Sequence, residues 1–161
     1  MDFGCYGANL ATWLMKGEKP RQVTATTRQL KPDIYPRVDA DATIIVDYEE
    51  AQVIIQASWN WPFNRKDMAL YGEVGYALTI DALAMKTRTK GKDAEQSFDA
   101  PALASPFDDP FRYLKAVVRG QIRVEEMALS SLENNLLTME ILEAARESAQ
   151  TGKTIELEGR K

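Results

Sequence analysis

The sequence contains no histidine. That excludes a Ser-His-Asp triad, a Cys-His pair, an HExxH zinc site and a histidine proton shuttle. Cysteine is nearly absent as well. Cys5 stands alone, so neither an internal disulfide nor a multi-cysteine zinc site can form. Positive charge is in deficit: 20 Lys+Arg face 24 Asp+Glu, for a formal net charge of −4. With a pI near 5.0, this argues against a general nucleic-acid or anionic-membrane surface. No window approaches the roughly 18 apolar residues of a membrane helix. The N-terminus lacks the basic start and long apolar run of a signal peptide. A soluble, cytoplasmic protein is the expectation. Acid/base chemistry is left to Asp, Glu, Lys and Tyr.

What is present is ordinary globular material: 161 residues, 45% hydrophobic and 27% charged. That is one domain's worth of chain, 1–161, long enough to bury a sizeable core. Residues 3–15 predict an amphipathic helix, with Tyr6, Leu10, Trp13 and Leu14 at helical spacing and Gly17 and Pro20 as the stop. From about residue 21 to 99 the period falls to two. Val23, Ala25 and Thr27 share one face of a first strand. Residues 42–48 and 52–59 are β-branched runs that predict a hairpin. Further strands fall at 68–74, 76–81, 83–89 and 95–99, with a break at Gly75. A short helix is predicted over 110–119, with Asp109 as N-cap, Pro110 in the first turn and Gly120 at the end. A long one is predicted over 131–149, opened by a Ser130-x-x-Glu133 capping box and ended by Gly152. Leu132, Leu136 and Met139, with Leu137, Ile141 and Ala145, are its expected apolar stripe. The order implies an α+β fold: an open, mainly antiparallel sheet with helices packed on one face. The uncovered face is expected to be an interface between two copies of the chain.

Chemistry has few places to live. Asp2 and Tyr6 are four apart, which puts a carboxylate and a phenol one turn apart on a helix, and Asn9 continues that face. Such a pair can orient a substrate hydroxyl and exchange its proton. A cap at Asp2 and a core role for Tyr6 are the structural alternatives. The stretch from Trp59 to Lys66 sets aromatics beside amides and bases on a loop. Trp61 and Arg65 are the substrate-binding candidates there, and a loop pinned by buried tryptophans is the alternative. Asp39 and Asp41 lack further oxygen ligands and read as a turn. Cys5 reads as a small core residue. No GxGxxG or P-loop is present, no alternating strand–helix pattern occurs, and Gly72-x-x-Gly75 reads as a strand break, so no dinucleotide-binding domain lies in this chain.

The stretch DFGCYGANLATW at 2–13 resembles the glucose–fructose oxidoreductase/inositol dehydrogenase (Gfo/Idh/MocA) family, whose C-terminal domain has D-x-G-x-[HY]-x-x-[ND] on a helix under the active site. Asp2, Gly4, Tyr6 and Asn9 match, in the tyrosine form of the glucose–fructose oxidoreductase and dihydrodiol dehydrogenase branch. Residues 58–75 and 142–157 agree with that branch in order and spacing. The resemblance implies an NAD(P)-dependent sugar or polyol oxidoreductase. Its C-terminal domain would bind substrate and make a homodimer, while a Rossmann domain absent from this chain would hold NAD or NADP and supply a catalytic lysine. It implies Asp2 and Tyr6 as catalytic residues at the substrate hydroxyl, with Asn9 supporting binding. Glu18-Lys19-Pro20 repeats the letters of the family's E-K-P motif but follows the helix, and is read as a loop. The chain is expected to be a C-terminal piece with Met1 at an interior position, inactive alone and holding no cofactor or metal. The alternative is a non-catalytic binding or assembly module working through its open sheet.

Overall fold

The structure, a computed structural model, describes residues 4–91 and 94–157. Among these residues the elements in chain order are α1 (Gly4–Leu14), β1 (Gln22–Arg28), β2 (Asp41–Asp47), β3 (Gln52–Ser58), β4 (Met68–Gly72), β5 (Gly75–Thr79), β6 (Ala84–Thr89), β7 (Gln96–Asp99), α2 (Pro110–Val118), α3 (Leu132–Thr151) and β8 (Ile155–Glu156). The fold is α+β and its ladders are antiparallel, as the pattern implies. The strands divide, however, into two sheets of four, ordered β3-β2-β1-β8 and β4-β5-β6-β7. The division falls at the loop after β3. There the β-branched run ends, and Pro62 has no N–H to give a ladder. Two compact units result: Met1–Asn60 with Val124–Lys161, and Trp61–Arg123.

In the first unit the alternation along β1, β2 and β3 sorts side chains by face. Register aligns Val23 with Val46 and Val53, and Ala25 with Ile44 and Ile55. These rows meet Ala8 of α1 and Ile141, Ala144 and Ala145 of α3 in one core, closed by Ile155 and Leu157. Each fully buried Val, Leu or Ile there contributes about 1.5–3 kcal/mol relative to exposure. On the far face Gln22 donates to Asp47 at 3.2 Å and Ile54 is exposed. β8 is only two residues long, so it cannot satisfy all of β1. Ser148 on α3 takes over, accepting the Ala25 N–H through Oγ at 2.9 Å within the core.

Two expected apolar stripes are corrected here. α1 buries Gly4, Ala8, Ala11 and Thr12, while Tyr6 and Trp13 face outward. Small residues seat a helix closer to a sheet than large ones allow, and the backbone of α1 comes down onto β3 at Gly7. A Cβ on Gly7 would lie 2.5 Å from Ile55 Cγ2. α3 buries Asn134, Thr138, Ile141, Ala144, Ala145 and Ser148; of its expected stripe the row Leu137, Ile141 and Ala145 packs at the core, whereas Leu132, Leu136 and Met139 are exposed. Its N-cap is Ser131 and not Ser130: the Ser131 Oγ accepts the Asn134 N–H at 3.1 Å. Gly152 ends the helix in the left-handed region, at φ 69°.

The second unit is a meander. Gly72 pairs with Gly75 across a two-residue turn, so the glycine pair closes a β-hairpin and β5 begins at Gly75 itself. A side chain on Gly75 would run into the Arg88 carbonyl of β6. Asp109 caps α2 as expected, accepting the Arg112 N–H at 2.8 Å.

The seating of α1 is directly testable. Gly7→Ala should destabilise the protein by about 1–3 kcal/mol through overpacking, although alanine is the better helix former. Urea unfolding measures the loss, and Gly7→Ala should cost less in a chain that already carries Ile55→Ala, which lacks both γ carbons. An unchanged midpoint for Gly7→Ala would show that α1 is not held this closely.

Candidate functional site

Because α1 buries Ala8 and Ala11, its larger side chains turn to the opposite side of the helix. Tyr6 lies on that side with 57% of its surface exposed, and Asn9 follows one turn later. Tyr6 is therefore not the core residue that its spacing with Leu10 allows. Asp2, the other half of the predicted pair, lies outside the described residues.

Asn9 is tied to the start of α3. Its Nδ2 donates to the Leu129 carbonyl at 3.0 Å and to Asn135 Oδ1 at 3.4 Å. Asn135 Nδ2 in turn donates to the Leu129 carbonyl at 3.2 Å and the Ser131 carbonyl at 2.7 Å. Asn134, fully buried, donates from Nδ2 to the Asn9 carbonyl at 3.4 Å, and its Oδ1 has no partner among the described residues. Sequence reasoning missed this asparagine pair because it assigned the interior of α3 to leucines. The adjacent Asn134-Asn135 in the first turn of an otherwise apolar helix was the available signal.

A second tyrosine shows the contrast. Tyr48, at the end of β2, is buried and its hydroxyl has no partner among the described residues. Burial first, and the Glu18 carboxylate second, push its phenol up to about 12. Tyr48 is core, and Tyr6 is the tyrosine placed where a ligand can reach it. Lys19 follows α1 in a loop and pairs with Glu140 of α3 at 2.8 Å.

The two loop candidates belong to the second unit. The Arg65 guanidinium lies 4.6 Å from the Trp61 ring centroid and covers one face of it. The same group forms a two-pronged ion pair with Asp67, Nε to Oδ1 at 2.6 Å and Nη2 to Oδ2 at 2.9 Å. Asp67 went unnoticed in the sequence, although it is two residues from Arg65. Trp59 belongs to the first unit, with its ring 5.4 Å from that of Tyr35. The structure therefore joins Trp61 to Arg65 in the second unit, while Tyr6 and Asn9 share α1 of the first, three residues apart. Asp41 opens β2, and among the described residues no group of three acidic or cysteine side chains could hold a metal ion.

Asp67 makes the Arg65 cover over Trp61 sensitive to pH. The Arg65 hydrogen bond holds the Asp67 carboxyl below its usual 3.8. A carboxylate lowered on folding stabilises the fold above its unfolded pKa and loses that contribution as pH falls through the folded one. Trp61 fluorescence should therefore be constant through neutral pH and change only below the usual carboxylate range. Asp67→Asn should abolish that acid transition. The exposed pair should leave overall stability nearly unmoved.

Comparison with known proteins bears on α1 and on the fold. The family model described as the GFO/IDH/MocA C-terminal domain matches residues 1–78. Among solved structures, a provisionally assigned oxidoreductase from Thermotoga maritima aligns with a TM-score of 0.75 at 18% identity, over 96% of this chain and 45% of its own. Another, from Klebsiella pneumoniae, aligns at 0.73 and 17% identity, over 99% of this chain and 49% of its own. An oxidoreductase from Agrobacterium radiobacter, in complex with NAD+, L-tartaric acid and magnesium, aligns at 0.69 and 20% identity, over 95% and 47%. A search of curated proteins found no match. The chain spans about half the length of the structures it matches. Residues 1–78 thus match the GFO/IDH/MocA C-terminal domain, and the chain as a whole has the α+β fold shared with these oxidoreductases.

Proposed function

We propose that this chain is the substrate-binding and oligomerisation domain of a cytoplasmic NAD(P)-dependent oxidoreductase that acts on a CH–OH group of a sugar or polyol. The observation that supports it is the outward face of α1. The helix completes its core contacts with Gly4, Ala8, Ala11 and Thr12, carries Tyr6 exposed away from them, and has Asn9 next along, held by the start of α3. This helix also lies inside the stretch that matches the family model.

In this reading the Tyr6 hydroxyl, which both donates and accepts, holds the reacting hydroxyl and exchanges its proton. The Asp2 carboxylate, four residues earlier, orients that hydroxyl or takes up the proton. Asn9 supports binding. Trp61 is a weaker candidate for a sugar face, because Arg65 already covers one side of its ring. Two relatives are solved with the cofactor class: the Agrobacterium protein with NAD+, and GenD2 from gentamicin A biosynthesis with NAD. The described residues of this chain do not fit that group. Both sheets are antiparallel, and the Gly72–Gly75 pair closes a hairpin where a dinucleotide site needs a strand–loop–helix turn. NAD or NADP is therefore assigned to residues outside those described, and no step is derived through it.

The test joins this chain to the nucleotide-binding half of a matched oxidoreductase and follows polyol oxidation. Tyr6→Phe should lower kcat/KM by about 10²–10⁴, the usual worth of a positioned acid/base group, without changing the unfolding midpoint. Activity that survives both Tyr6→Phe and Asp2→Asn would remove the catalytic assignment. The chain by itself should show no binding of NADH or NADPH by isothermal titration.

A second reading, an assembly module, is favoured by the sheet β4–β7. Met68, Met85 and Phe98 share a row on one of its faces, and Leu70 lies on that face two residues on. Leu70 and Phe98 are exposed. An exposed apolar face of this kind suits a second copy of the chain. Light scattering should report a dimer, and Leu70→Lys with Phe98→Lys should convert it to monomer. A monomeric wild type would end this reading and leave the Tyr6 test standing.

A further inference from the structure

The two asparagines that open α3 hold one residue of α1 by both of its halves. Asn134 Nδ2 reaches the Asn9 main-chain carbonyl, and Asn135 Oδ1 with the Leu129 carbonyl receives the Asn9 side-chain nitrogen. A primary amide has two N–H donors and one carbonyl oxygen. With Nδ2 turned toward two acceptors, what Asn9 offers to anything else is Oδ1, an acceptor. Asn135 also holds the Leu129 carbonyl in place, since its own Nδ2 bonds that carbonyl and the Ser131 carbonyl together. If the Asn9 amide turned over, its carbonyl oxygen would meet two further oxygens and both bonds would be lost. The orientation is therefore fixed chemically as well as sterically.

We propose that Asn135 is a positioning residue: by fixing the Asn9 amide it makes the Tyr6–Asn9 face select a ligand group that donates a hydrogen bond, a hydroxyl, over a carbonyl or carboxylate at that point. This rests on the reading of α1 as the substrate face and adds a specificity that the reading leaves open. The discrimination arises from α3, an element that supplies no group to the ligand itself. An acceptor-only group placed there would face Oδ1 with no proton between them.

The experiment uses the full 161-residue chain labelled with ¹⁵N and the probe myo-inositol. The Asn9 side-chain NH₂ should exchange with solvent about 3- to 10-fold more slowly than that of Asn64, an exposed loop asparagine in the same sample, as expected for one net hydrogen bond. Asn135→Leu should erase that difference and weaken the myo-inositol-induced shift of the Tyr6 ring by a similar factor. Asn135→Asp keeps an acceptor oxygen for Asn9 but loses the donor to the Leu129 and Ser131 carbonyls, so it should recover at most part of both effects. The backbone spectrum of α1 checks that the variants are folded, and the wild-type comparison with Asn64 needs no variant. Unchanged Asn9 exchange in a folded Asn135→Leu chain overturns the proposal. A wild type whose Asn9 amide is protected, but in which myo-inositol moves neither Tyr6 nor Asn9, overturns the substrate reading and the specificity with it. The protected amide tells that failure apart from a failure of the positioning.

Discussion

The close approach of α1 to β3 is the constraint on which the rest of the first unit depends. It requires a glycine at 7 against Ile55 and alanines at 8 and 11 on the core side. A helix seated through its smallest side chains has no room for its largest ones underneath, so Tyr6 and Trp13 turn outward. The candidate site is in this sense a by-product of packing. The sheet takes the small residues and leaves the aromatic ones to face outward.

The α1–α3 contact follows a related logic. Thr12, Asn134 and Thr138 are all buried along it. The threonines satisfy their hydroxyls within their own helices, Thr12 to the Ala8 carbonyl and Thr138 to the Asn134 carbonyl. Asn134 instead reaches across to α1. Polar groups in such a seam add direction that leucines would not supply, because a hydrogen bond specifies an angle and an apolar contact does not. The cost is visible in the buried Asn134 Oδ1, which has no partner among the described residues.

Much of this was legible in the sequence, and the failures have physical causes. The β2–β3 hairpin could be read because two β-branched runs stand either side of a short connection, which leaves antiparallel pairing of neighbours as the simplest arrangement. The caps at Asp109 and Gly152 could be read because few residue types do those jobs. The buried face of α3 was read in part: the row Leu137, Ile141 and Ala145 meets the core, and the row Leu132, Leu136 and Met139 does not. Hydrophobicity ranks Leu132, Leu136 and Met139 above Asn134 and Thr138, but a close helix–helix seam prefers smaller side chains that find hydrogen bonds. The division into two sheets was not legible, since which strand edges pair is decided over long distances in the chain. In the candidate site, Tyr6 and Asn9 could be named from the motif, while Asn135 and Asp67 act through partners that no local spacing announces.

Ser148 carries a consequence of another kind. Beside the two-residue β8, its hydroxyl stands in for a missing strand at Ala25 of β1. An open strand edge is a template on which another chain can add, and protection usually takes a charge, a proline or a bulge. Here a helix does it with one oxygen from above the sheet. That side of β1 is closed to strand addition at Ala25, just where the short β8 stops covering it.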